Sequence, residues 1–145
     1  MKECPHCDGP MDPVTEVREV KVGSRSGRVL DEFFRCRDCS DAFYLPGQMD
    51  ATLRRASDAI REAEGLLSPE EVRAVRMQFG LTQSAFEKLL GVGPKTVVRW
   101  EKGAVFQNGA TDSLLRLVRE FPEVVRFLAE RHGVTLPDLI SLQAE

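Results

Sequence analysis

Two C-x-x-C pairs, Cys4 with Cys7 and Cys36 with Cys39, constrain this chain more than any other feature of its 145 residues. Each pair sets two sulfurs on one tight turn, and 28 residues separate the pairs. Brought together, the two turns supply four thiolates, the tetrahedral donor set that Zn2+ takes in closed structural sites. A framework of disulfides would need an oxidising compartment, yet the opening MKECPHCDGPMD has no apolar core of a secretory signal. No stretch reaches the roughly 20 apolar residues of a membrane span. The expectation is a soluble, cytoplasmic chain with no membrane partner, holding one structural Zn2+ on Cys4, Cys7, Cys36 and Cys39.

Other uses of the cysteines can be weighed by chemistry. A redox C-x-x-C expects a βαβ setting and would explain only one pair. An iron centre of the rubredoxin type uses the same four thiolates and would absorb visible light. His6 sits between Cys4 and Cys7, where it would compete with them for one metal, so it reads as solvent-facing or sulfur-orienting. His132 has no paired ligand nearby and reads as a cation at a helix C-terminus.

The segment between the pairs accounts for its own length. Val14, Glu16, Arg18, Val20 and Val22 alternate approximately with Thr15, Val17, Glu19 and Lys21, as a twisted strand would. Gly23-Ser24-Arg25-Ser26-Gly27 reads as a turn, and Val29, Leu30, Phe33 and Phe34 carry the chain back to Cys36. The expected domain is thus a hairpin over residues 1–49 that closes two metal knuckles together. A core of this size is small, so ligation would contribute much of its folding free energy. Residues 50–66 then carry balanced charges, with Leu53, Ala56, Ile60 and Ala63 at helical spacing, and read as an exposed helical linker.

Residues 67–145 are expected to be all α. Ser68 caps a first helix, Pro69 opens it, Glu71 completes a capping box, and Leu67 staples onto Val72. Val72, Val75 and Phe79 would face inward. Thr82 caps a second helix whose inner face is Ala85, Phe86, Leu89 and Leu90, and Gly91 ends it in a left-handed turn with Val92 plugging the corner. Pro94 would open a third helix, with Val97 and Trp100 inside and Lys95, Val98, Arg99 and Lys102 outside. Leu114, Leu115, Leu117, Val118 and Phe121 form a further apolar face. Pro122 starts another helix that Gly133 stops, and Thr135 begins a last short one containing Leu139, Ile140 and Leu142.

The segment LTQSAFEKLLGVGPKTVVRWEKG, residues 81–103, resembles the helix-turn-helix of the Xre, or Cro/cI-like, regulators over 23 contiguous residues. The likeness rests on Thr82-Gln83, the Gly91-Val92 corner and the Arg99-Trp100-Glu101-x-Gly103 ending. The family usually caps its third helix with a polar residue such as Ser, and Gly93 stands at that position in this chain. Such a domain places its third helix in the DNA major groove. The resemblance therefore implies DNA-contacting roles for Gln83, Lys95, Thr96, Arg99 and Lys102. Arg99 is suited to guanine O6 and N7, and Gln83 to a backbone phosphate.

The whole order of parts, zinc knuckles with a strand-rich insert followed by an Xre-type domain, is similar to the MqsA-type antitoxins of bacterial toxin–antitoxin modules. That resemblance implies a two-domain protein, with a small zinc-bound β-rich domain and a five-helix DNA-binding domain. It also implies an antitoxin, not an enzyme, that neutralises a cognate toxin, commonly an mRNA-cleaving ribonuclease, and represses its own operon as a homodimer on a palindromic operator. The family often carries an asparagine where Lys95 stands. A stand-alone Xre regulator with a structural zinc domain is the alternative. The net charge of −3 excludes binding by bulk positive charge, because residues 1–50 carry seven Lys/Arg against ten Asp/Glu and residues 69–145 carry ten of each. What remains for nucleic acid is a local cluster of Lys88, Lys95, Arg99 and Lys102.

Overall fold

The computed structural model describes residues 3–137, which fall into two compact units that divide between Glu64 and Gly65. The first unit holds strands β1 (Met11–Val22), β2 (Arg25–Cys36) and β3 (Ala42–Phe43) and helix α1 (Gln48–Glu64). The sheet has the order β1-β2-β3, with both pairings antiparallel. Val22 pairs with Arg25, so the hairpin turns on Gly23 and Ser24 alone, Gly23 taking the positive φ of 63° that a tight mirror-image turn requires. The turn is therefore shorter than the five residues expected, and Gly27 lies within β2.

Gly27 has a packing role instead. A Cβ there would stand 2.8 Å from the carbonyl oxygen of Ala56, so the missing side chain is what lets α1 lie against the strand. This helix was expected as an exposed linker, and the structure corrects that expectation. Its buried residues are Thr52, Ala56, Ser57, Ile60 and Arg61, so Ala56 and Ile60 of the sequence pattern face inward as expected while Leu53 and Ala63 are exposed. The reason is polar as well as apolar. Asp31 on β2 is 0% exposed and accepts hydrogen bonds from Thr52 Oγ1 at 3.0 Å and from the Tyr44 hydroxyl at 2.8 and 3.0 Å. Arg18 Nε lies 3.2 Å from the same carboxylate. A hydrogen-bonded carboxylate thus recruits the helix face that carries its donors, which an apolar periodicity does not register. Burial and the Asp31 carboxylate together raise the Tyr44 phenol above its usual pKa.

Among the described residues the second unit holds helices α2 (Pro69–Gln78), α3 (Gln83–Leu90), α4 (Thr96–Lys102), α5 (Gly109–Glu120) and α6 (Pro122–His132). One core joins them, with Val72, Val75, Phe79, Phe86, Leu89, Val97, Trp100, Leu115, Val118 and Val125 buried and Ala85 and Val92 packed on its edge. The capping box at Ser68 and Glu71 is complete, Thr82 Oγ1 accepts from the Ala85 amide at 3.1 Å, and Gly91 ends α3 at φ 74°. On α5 the expected apolar face narrows to Leu115 and Val118 with Leu114 packed beside them, since Leu117 and Phe121 are exposed. Asn108 caps that helix through the Thr111 amide. From Asp138 on, the expected last helix with Leu139, Ile140 and Leu142 lies outside the described residues.

Candidate metal centre and nucleic-acid interface

The two knuckles are built alike. In the first, the amide of Asp8 donates to the carbonyl of Cys4 at 2.8 Å, and the amide of Cys4 donates to that of Gly9. In the second, Ser40 donates to Cys36 at 3.1 Å and Cys36 donates to Asp41. Asp8 and Ser40, each four residues after the first cysteine of its pair, share a φ of 66°. Each turn also aims backbone N–H groups at a sulfur. His6 N donates to Cys4 Sγ at 3.3 Å, and Asp38 N and Cys39 N donate to Cys36 Sγ at 3.4 and 3.5 Å. A Cβ at Gly9 would come 2.6 Å from Asp38 Oδ2 and 3.1 Å from Cys36 Sγ, so the bare residue lets the second knuckle pack against the first.

All four Sγ atoms lie within 4.8 Å of one another, Cys4 and Cys39 at 3.6 Å and Cys7 and Cys36 at 3.4 Å. Tetrahedral Zn–S bonds of about 2.3 Å place sulfurs roughly 3.8 Å apart, so the cluster fits such an ion and is too open for disulfides. Its acid–base character points the same way. The Cys39 and Asp38 amides and the neighbouring sulfurs outweigh burial and bring Cys36 down to about 7. At Cys39 the amide of Asp41 is outweighed by burial and by the three other sulfurs, which push it up to about 12. Four thiolates this close repel unless a cation neutralises them, so the set is one that a divalent metal completes. The His6 side chain is exposed, 3.6 Å from an Asp41 carboxylate oxygen.

In the second unit, α4 is anchored from beneath. Val97 is 0% exposed and Trp100 is buried, whereas Lys95, Arg99 and Lys102 are exposed and Thr96 and Val98 are half-buried. Among the described residues Lys88, Lys95, Arg99 and Lys102 form no ion pair, which leaves their charge available to an outside anion. Gln83, at the start of α3, has its carboxamide nitrogen 3.3 Å from Glu101 Oε1. That carboxylate also takes a two-pronged contact from Arg76, at 2.7 Å and 3.0 Å, while Arg76 Nη1 reaches the Leu81 carbonyl. Charge-assisted bonds of this kind tie α2, the turn before α3 and the end of α4 into one rigid piece.

The opening of α4 differs from expectation. Pro94 does not start the helix. The segment Gly93–Thr96 forms a turn closed by Thr96 N to Gly93 O at 3.3 Å, with Lys95 at φ 67° and ψ 1°. Proline second and a left-handed residue third are the marks of a type II turn, a site that suits asparagine better than lysine. No side chain of the turn caps the helix. The missing acceptor comes from Glu87 on α3, buried, whose Oε2 takes the Val97 amide at 2.9 Å. Sequence reasoning missed Glu87, Arg76 and Glu101 in this role, since each looks like an ordinary helix charge until the fold brings it to its partner.

A family model described as the antitoxin component of bacterial toxin-antitoxin system, MqsA, matches residues 1–129, across both the cysteine cluster and the α2–α6 unit. The chain belongs to this MqsA antitoxin family. It is also similar to antitoxin HigA-2 of Vibrio cholerae serotype O1, 36% identical over 64 residues, which are 44% of this chain and 62% of that protein. The match therefore spans less than two thirds of the relative's length. For an MqsA-family antitoxin the two halves described above are the expected parts, a clustered-cysteine unit and a helical unit. The family points to a regulator that acts by binding, not by catalysis. Among the described residues, no helix is long and apolar enough to cross a membrane.

Proposed function

We propose that this chain is the antitoxin of a type II toxin–antitoxin pair: it neutralises a cognate protein toxin and represses its own operon by binding a palindromic operator as a homodimer in the cytoplasm. The observation that carries the DNA half of this reading is the outer face of α4, where Lys95, Arg99 and Lys102 stand exposed, without ion pairs among the described residues, above buried Val97 and Trp100. Arg99 would read guanine through its planar fork, Lys95 and Thr96 would meet a base or phosphate, and Lys102 and the helix-start Gln83 would hold the backbone. Zn2+ on Cys4, Cys7, Cys36 and Cys39 would hold the first unit in shape. A basic, mRNA-cleaving toxin is the partner that an acidic N-terminal half would suit. Exposed Leu117, Phe121 and Phe127 on and around α5 and α6 support self-association of the second unit.

The deciding experiment pairs a mobility-shift titration on the DNA upstream of the reading frame with co-purification of the neighbouring gene product. Arg99→Ala is expected to weaken operator-specific binding by roughly tenfold or more, the loss of about 1–3 kcal/mol that one bidentate base contact contributes, while toxin capture is unchanged. Equal affinity of wild type and variant for that DNA would reject the role of α4. Failure to capture any neighbouring product would reject the antitoxin half and leave a stand-alone regulator.

A further inference from the structure

Val98 has no structural employment that the described residues reveal. It lies on α4 one residue before Arg99, is half-buried, and is not among the apolar side chains packed on the core, unlike its neighbours Val97 and Trp100. Lys102 follows it by four residues on α4, so the two share one side of the helix, and the exposed Lys95 stands in the turn just before that helix. A β-branched residue there also weakens the helix slightly. An aliphatic group set among unpaired cations is poorly placed for stability and well placed for a groove. On the floor of the major groove the apolar feature is the C5-methyl group of thymine, which aliphatic side chains contact.

We propose that Val98 is a specificity-determining residue that packs its isopropyl group on the methyl of a thymine neighbouring the base that Arg99 contacts. This inference rests on the reading of α4 as the DNA-facing helix, and its test separates the two. Duplexes are selected by the full chain from a randomised library, and each thymine of the selected site is then replaced singly by deoxyuridine, which removes only the methyl. Wild type is expected to lose about fourfold in affinity at one position per half-site, the size of one buried methyl group. Val98→Ala should lose a similar factor on the thymine duplex and be indifferent to deoxyuridine at that position. Independent, multiplying losses at every thymine would overturn the assignment. Arg99→Ala run in parallel keeps the outcomes distinct, because undiminished binding by that variant would sink the reading of α4 itself. Circular dichroism and thermal melting of Val98→Ala check that the helix is intact, and Val98→Thr, which keeps one methyl, should fall between the two.

Discussion

Asp112 illustrates how a single side chain becomes structural only through its neighbours. Burial pushes its carboxyl up, but the Leu67 amide at 2.8 Å, the Arg116 guanidinium at 2.8 Å and the Gln107 carboxamide at 3.2 Å outweigh this and hold it below the usual carboxylate range. A carboxyl depressed in the folded state stabilises above its unfolded value of about 4, and that contribution disappears as pH falls through the lowered folded value. Urea unfolding followed from pH 6 to pH 2 should therefore show an acid limb in wild type that Asp112→Asn flattens, together with a lower plateau at pH 6. An unchanged acid limb would dismiss the linkage. Asp112 lies in the first turn of α5, and its bonds to Leu67 and Gln107, 45 and five residues away, are invisible in the sequence. The cysteines are the opposite case. Their spacing alone announced a common metal, and the structure brings all four sulfurs within 4.8 Å.

At the scale of elements, α4 depends on a cap lent by another helix. With Lys95 left-handed and no local acceptor, the first turn of α4 relies on Glu87 Oε2 bonding Val97 N at 2.9 Å. Glu87→Ala should lower the stability of the helical unit by about 1–2 kcal/mol, the usual cost of a lost cap with a buried amide left unpaired. Glu87→Gln, which keeps an acceptor oxygen, should lose less in the same thermal-denaturation assay. Equal melting of all three proteins would show that α4 needs no such cap. The starts of α2 and α3 were legible because Ser68, Glu71 and Thr82 cap through residues three positions on. The start of α4 and the docking of α1 were not, since Glu87 and Asp31 act at separations of 10 and 21 residues.

For the molecule as a whole, the division into 1–64 and 65–145 implies two stabilities under different control. The buried cluster around the knuckles is small, Cys4, Met11 and Cys36 with Phe34, Cys39 and Phe43 beside it, whereas the core of the helical unit holds fifteen buried side chains among the described residues. Chelator treatment, or Cys36→Ser, should expose the first unit to limited proteolysis and leave residues 65–145 resistant and able to bind DNA. Metal analysis should return about one zinc per chain. Concerted unfolding of both units on metal loss would refute this independence. By itself the sequence determined what depends on near neighbours: the thiolate pairs, the strand alternation, the caps of α2 and α3, and the inward and outward faces of α4. Tertiary structure alone decided that Gly27 makes room for α1 at Ala56, that Asp31 fastens that helix to the hairpin, and that Arg76 and Glu101 brace the helices around Gln83. The reason is physical. Turns, caps and periodicities involve groups a few residues apart, while a buried charge or a bare glycine acquires its purpose only from a partner the chain must fold to reach.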